Sequence, residues 1–380
     1  VDVVVTGIGL LSALGSLTSS WQSLLQGKSG IGLHQPFPEL PPYPLGLINC
    51  QPIELTNLTK LVVAAALKDA KLAIPLPECG VVIGSSRGAQ AHWEHLATIQ
   101  NNSNCLLPIP NSLPWLETLP HQAAIATARY LGTTAPVLAP MAACATGIWA
   151  IARGFELIQT GECQRVIAGA VEAPITRLTL AGFERMGALA KTGCYPFDWR
   201  REGLVLGEGG AVFVLETAEL ALSRGANIYG QILGFGLTCD AHYINAPEST
   251  NKSASIALKQ CLERSQLQPS DIDYIHAHGT GTKLNDFHEA QLINYLFPRK
   301  VAVSSTKGAT GHPLGASGAM GVAFSLMALK EGQLPPCIGL TESEFDLNLV
   351  TFARQSFIEK VLCLSFGFGG QNSAIALGEF

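Results

Sequence analysis

Short runs of β-branched and apolar residues, each closed by glycine or another small residue, recur along the chain at residues 3–7, 80–85, 165–170, 211–215, 272–278 and 301–305. Their length and composition predict buried strands. Between them, residues 58–72, 122–131, 147–159, 253–265, 286–296 and 319–330 carry the apolar spacing of helices. Strands alternating with helices predict a layered α/β fold. Residues 36–52 are rich in proline and read as an irregular surface excursion. With no charge run, low-complexity tract or extended linker, the chain is expected to form one compact unit. Two uncharged stretches, 130–152 and 308–329, approach the length of a membrane span, but Pro136, Pro140, Pro313 and repeated glycines interrupt both. No span is expected.

Composition narrows the function more than the fold. A chain of 380 residues that is 47% hydrophobic can bury a large core. Only 14% of residues are charged and the net charge is -5, which argues against a nucleic-acid surface or a polybasic membrane patch. The 10 cysteines lie singly, without a CxxC pair or a zinc or disulfide spacing, so a reducing cytoplasm and no bound metal are expected. The opening VDVVVTGIG reads as a strand rather than as a signal peptide.

Four segments carry candidate chemistry. The first places Cys144 after a strand-like run and at the entry to a helix, among Ala142, Ala143, Ala145 and Gly147. A helix N-terminus favours negative charge and is expected to lower the thiol pKa; a buried structural cysteine is the plain alternative. The second, HAHGTGTKLND, ends a strand in His278, with Thr280 and Thr282 able to donate to an amide-bearing substrate arm. Asp286 and Glu289 follow near a helix start, as its dipole prefers, and His276 lies deeper in the strand as the weaker candidate. In the third, Lys307 and His312 follow another strand among glycines that allow close backbone approach. The fourth frames Phe368 with Gly367, Gly369 and Gly370, either as a mobile gate that also supplies a backbone N–H or as a tight turn. Each half thus delivers a reactive residue to a turn, Cys144 in one and His278 in the other, a hint of duplication.

Together and in this order, the segments resemble the β-ketoacyl synthases of fatty-acid and polyketide synthesis. The resemblance runs from VVVTGIGLLSALG through ACATG, PFDWRREGLVLGEGG, HAHGTGTKLND and SSTKGATGHPLGASGA to SFGFGGQNSA. It implies a thiolase-like fold of two duplicated α/β halves in a five-layered sandwich, with residues 1–226 carrying the cysteine and 227–380 the His-Lys-His set. It also implies that Cys144 is the nucleophile, that His278 and His312 are paired imidazoles, and that Lys307 supports them in an ion pair with Glu289. Phe368 matches the family's gate, flanked by Gly367 and Gly369, and the N–H groups of Cys144 and Phe368 match its oxyanion hole. Thr280 and Thr282 match hydroxyls along the pantetheine arm.

The activity so implied is an acyltransferase that condenses an acyl group on Cys144 with malonyl-acyl carrier protein, with loss of carbon dioxide. No cofactor is implied beyond the phosphopantetheine of the carrier. The expected partners are acyl carrier protein, acyl and malonyl thioesters and a second copy of the chain, in the cytoplasm. The alternatives are a ketosynthase-like partner or chain-length factor subunit, a malonyl decarboxylase, or a cysteine hydrolase using Cys144 and His278. The chain departs from the family's pattern in three places: residues 29–72 and 190–196 look shorter, Gln371 stands where threonine is usual, and few basic residues lie between Lys28 and Lys68.

Overall fold

The structure, a computed structural model, describes residues 1–102 and 114–380. Cys105 lies outside the described residues. The strands that organise the molecule are β1 (Val3–Ser12), β2 (Gly80–Gly84), β3 (Val137–Leu138), β4 (Arg165–Glu172), β5 (Gly209–Thr217), β6 (Gly230–Cys239), β7 (Tyr274–His276), β8 (Ala302–Ser304), β9 (Asn348–Leu349), β10 (Lys360–Gly367) and β11 (Gln371–Gly378). They run side by side in the order β9-β8-β7-β10-β11-β6-β1-β5-β4-β2-β3.

That order contains the same pattern twice. Read inward, β3-β2-β4-β5-β1 of one half is matched by β8-β7-β10-β11-β6 of the other, where β9 adds one further strand at the edge. Directions match as well: β2 runs parallel to β3 and β4 while β4, β5 and β1 alternate. Likewise β7 runs parallel to β8 and β10 while β10, β11 and β6 alternate. The first strands of the two halves meet antiparallel, Val3 opposite Ile232 and Val5 opposite Gly230.

Helices complete the layers. The helices used below are α1 (Leu55–Asp69), α2 (Thr146–Gln159), α3 (Lys252–Arg264), α4 (Lys283–Leu296) and α5 (Ser317–Glu331). α1 covers the outer face of β1 and β5, and α3 covers β6 and β11, while α2 and α5 pack against each other between the sheet halves. This gives five layers, helix-sheet-helix-sheet-helix. In α5 every residue from Ser317 to Leu329 is buried, as a helix with sheet on both sides must be. Ile148, Ile151, Phe324 and Leu326 lie in this middle core, whereas Leu58 and Val62 fill one outer core and Leu258 and Leu262 the other. Truncating a filled position such as Phe324 to alanine costs about 3–5 kcal/mol.

One close approach positions the site. A Cβ on Gly147 would lie 2.4 Å from Ala319 N, and a Cβ on Gly318 would lie 2.9 Å from Ile148 Cγ1. Glycine at both positions lets the first turns of α2 and α5 touch. The residues just ahead of those turns, Cys144 and His312, are thereby brought together.

The expected strands are present, and β7 is shorter than expected: it ends at His276, so His278 stands two residues beyond it. Strands β6, β10 and β11 and the helices Leu17–Leu25 and Arg177–Arg185 were not expected. Glycines at 230, 234 and 236 break the apolar run of β6. The excursion at 36–52 contains a short strand, Tyr43–Leu45, paired with Gly32–His34. Among the described residues, no helix is long and apolar enough to cross a membrane.

Candidate active site

Cys144 occupies the turn between β3 and α2. Ala143 just before it has φ +46°, a left-handed conformation that a side-chain-bearing residue adopts only under constraint. Thr146 supplies that constraint: its Oγ1 accepts from Ala142 N at 2.8 Å and donates to Ala143 O at 2.6 Å. Ser365 on β10 donates to Cys144 O at 2.9 Å, fastening the turn to the second half of the sheet. Cys144 is 9% exposed, and burial pushes its thiol pKa up to about 11. The Lys307 ammonium opposes that shift, the Glu172 carboxylate adds to it, and Arg87 and the Phe368 N–H oppose it. The expectation of a lowered pKa is therefore reversed. The helix start is where the sequence implies, but loss of water around the thiolate outweighs it.

His278 is held through its backbone. Glu289, on α4, accepts His278 N–H at 2.6 Å and Gly279 N–H at 2.7 Å, while Lys307 Nζ donates to His278 O and lies 3.4 Å from His278 Nδ1. No direct Glu289–Lys307 ion pair occurs among the described residues. The expected pair is corrected: the two charges act on His278 from opposite sides, because the carboxylate oxygens are taken up by backbone N–H groups. His312 is fixed similarly, its N–H on Val205 O at 2.6 Å and its carbonyl accepting from Gly207 N at 3.1 Å.

The two imidazoles stand edge to face, 5.3 Å between centroids and 81° between planes. Cys144 Sγ and a nitrogen of each ring lie within 4.8 Å of one another. Burial, then the Lys307 cation, push both histidines well below the ordinary imidazole pKa, with His312 and His276 adding to the effect on His278. Both shifts favour the neutral ring. A thiol and two imidazoles could also ligate a soft metal, but the Lys307 ammonium beside them opposes a dication. Burial likewise lowers the pKa of Lys307, with Glu289 counteracting it.

The trio lies in a cavity of about 470 Å³ that is also lined by Thr280, Thr282 and Phe368. Thr280 and Thr282 share a hydroxyl hydrogen bond of 2.8 Å, and Asp286 accepts Thr280 N–H and Gly281 N–H, which holds this wall rigid. Opposite, Gly367 packs so tightly that a Cβ there would lie 2.9 Å from Cys144 N. The Phe368 ring is partly exposed and stacks on Phe183 at 5.9 Å, and Gly369 N–H donates to Ile244 O at 2.6 Å. His276 sits behind the site with Nε2 3.2 Å from Thr306 Oγ1, in keeping with its lower rank.

Sequence reasoning passed over Phe183, Ser317 and Ser365, although the last two stand inside quoted motifs. It also passed over Glu172, a buried carboxylate that accepts from Ser85, Ser86, Arg87 N and Gly315 N and so ties the two halves together beside the cavity.

Residues 54–221 match the model of the β-ketoacyl synthase N-terminal domain, and residues 229–341 that of the β-ketoacyl synthase C-terminal domain. The chain belongs to the β-ketoacyl synthase family. It is 35% identical, over 100% of its length and 98% of the relative, to 3-oxoacyl-[acyl-carrier-protein] synthase 2 of Synechocystis sp.. The same-named protein of Staphylococcus aureus is 33% identical over 100% and 99%. A type II polyketide ketosynthase solved with its acyl-carrier protein superposes with TM-score 0.94 at 26% identity, covering 100% of this chain and 99% of the other. A β-ketoacyl synthase from Burkholderia phymatum superposes with TM-score 0.90 at 27% identity and the same coverage. The five layers are therefore those of the thiolase-like fold, and the chain is an acyltransferase of the decarboxylating condensation class.

Proposed function

We propose that Cys144 carries the acyl group and that His278 and His312 stabilise the enolate formed from a malonyl thioester. The observation that supports this most is the meeting of Cys144 Sγ with both imidazoles, within 4.8 Å, inside one cavity. In the first half-reaction the Cys144 sulfur attacks the thioester carbonyl and the carrier's sulfur leaves. The thiol proton ends on that sulfur, so an elevated thiol pKa does not stop the exchange. The N–H groups of Cys144 and Phe368 serve as donors to the oxygen as it becomes anionic.

In the second half-reaction the bond between the malonyl carboxylate and its methylene breaks and carbon dioxide departs. The electron pair stays behind as an enolate. Neutral imidazoles that present Nε2–H to the thioester oxygen stabilise it without a formal charge. The enolate carbon then attacks the acyl carbonyl and Cys144 leaves, to be reprotonated. Water kept out of the buried site cannot hydrolyse the acyl-enzyme.

Thr280 and Thr282 are assigned to the pantetheine arm, Phe368 to a gate flanked by Gly367 and Gly369, and Lys307 and Glu289 to holding His278. The proposal includes acyl carrier protein as the donor of both thioesters, a homodimer in the cytoplasm, no cofactor of the protein's own, and a division of the halves at residues 226 and 227, which the repeated strand order supports. Separate assays of the half-reactions test it. His278→Ala and His312→Ala should each suppress malonyl decarboxylation more than acylation of Cys144. Equal loss in both would make a histidine the base for the thiol instead.

A further inference from the structure

Enolate stabilisation requires each imidazole to carry its proton on the nitrogen that faces the cavity, and a neutral ring has one proton to place. For His278 the Lys307 ammonium answers the question, since a group with donors only, 3.4 Å from Nδ1, makes Nδ1 an acceptor. His312 has no cation in that position. Its Nδ1 faces Ser317 Oγ at 3.3 Å, the first residue of α5.

A hydroxyl can donate or accept, so its other surroundings decide. Ser317 is 5% exposed, and among the described residues His312 Nδ1 is the hydrogen-bond partner of its hydroxyl. Donation from Ser317 satisfies both groups. Donation from His312 would leave the hydroxyl proton buried without an acceptor and strip Nε2 of its own. The ring is held from turning away by burial, with His312 1% exposed, and by its edge-to-face packing on His278 at 5.3 Å.

We propose that Ser317 is a positioning residue for decarboxylation, its hydroxyl donating to His312 Nδ1 and so fixing the tautomer with the proton on Nε2. The inference rests on the function proposed above. It also explains how one cation serves two histidines: Lys307 orients one ring, and a neutral hydroxyl orients the other without a second buried charge.

The test uses the full-length protein labelled with 15N-histidine, wild type, Ser317→Ala and Ser317→Thr. In the wild type the His312 ring should appear as a single tautomer protonated at Nε2; a ring protonated at Nδ1 overturns the proposal without any variant. In Ser317→Ala the His312 signals should move toward a mixture. The kcat for malonyl decarboxylation should fall about tenfold, less than the 10²–10⁴ a positioned proton donor contributes, because His312 itself remains in the variant. KM for the malonyl carrier and the rate of Cys144 acylation should hold, and Ser317→Thr should restore both tautomer and kcat. Unchanged signals or an unchanged kcat in a folded Ser317→Ala would overturn it. A wild type that fails to decarboxylate refutes the proposed function, while its His312 tautomer still reports on Ser317 independently.

Discussion

Glu289 and Lys307 hold the backbone of His278 from its two ends, the carboxylate on the N–H at 2.6 Å and the ammonium on the carbonyl. Both charges are buried, so neither can be removed without stranding partners. The clamp fixes where the His278 side chain leaves the main chain, and Lys307 Nζ, 3.4 Å from Nδ1, orients the ring.

Replacing Glu289 by Gln puts an amide donor where an acceptor is needed, because its two oxygens each serve a separate N–H, from His278 and from Gly279. The variant should lose about 1–3 kcal/mol of stability, the range for a buried donor left unmet. Urea unfolding checks the loss, and malonyl decarboxylation should fall with it. A variant as stable as the wild type would mean that the carboxylate is dispensable to the clamp.

The site was more legible in the sequence than the contacts that hold it. Cys144, His278, Lys307 and His312 each follow a strand and precede small residues, a local signal that needs no tertiary knowledge. The Glu289–Lys307 pair rests on the resemblance alone, and in this buried turn the backbone N–H groups of His278 and Gly279 claim the carboxylate first. The thiol pKa was misjudged in sign because burial is a property of all five layers and the helix start is a property of one turn. Ser317 gave no signal at all: its role depends on a distance to a ring five residues away. In the fold, β10 and β11 went unnoticed because the glycine-rich turn between them drew the reading toward a loop.

Gly367→Ala should slow acylation severely while the protein still folds. Its Cβ would fall 2.9 Å from Cys144 N, so the Cys144 turn or the Phe368 turn must shift and the oxyanion donors separate. Loss of one such donor lowers the rate about 10²–10³-fold. Acyl-enzyme formation followed by mass is the measurement. Gly369 differs: nothing lies within 4 Å of a Cβ there, but its φ of +76° makes a β-branched residue strained. Such a variant should lose stability as well as any gating freedom, so Gly367 gives the cleaner test.

Alkylation of Cys144 by iodoacetamide should accelerate steadily from pH 7 to pH 10. The thiolate is the reactive form, and burial holds the thiol pKa at about 11, so its fraction keeps growing across that interval. Removing the opposing cation with Lys307→Ala should shift the profile to still higher pH. A wild-type rate that levels off below pH 8 would mean that the helix start and Lys307 prevail over burial.

The central claim is that this chain holds its substrate as a thioester on Cys144. Intact-mass measurement after mixing the protein with an acyl carrier thioester tests it most directly. One acyl adduct is expected on the wild type that maps to Cys144, that disappears on adding malonyl carrier as a 3-oxoacyl product forms, and that is absent from Cys144→Ala. An adduct of the same mass persisting on Cys144→Ala, or a wild-type protein that makes product without ever carrying the acyl group, would contradict it.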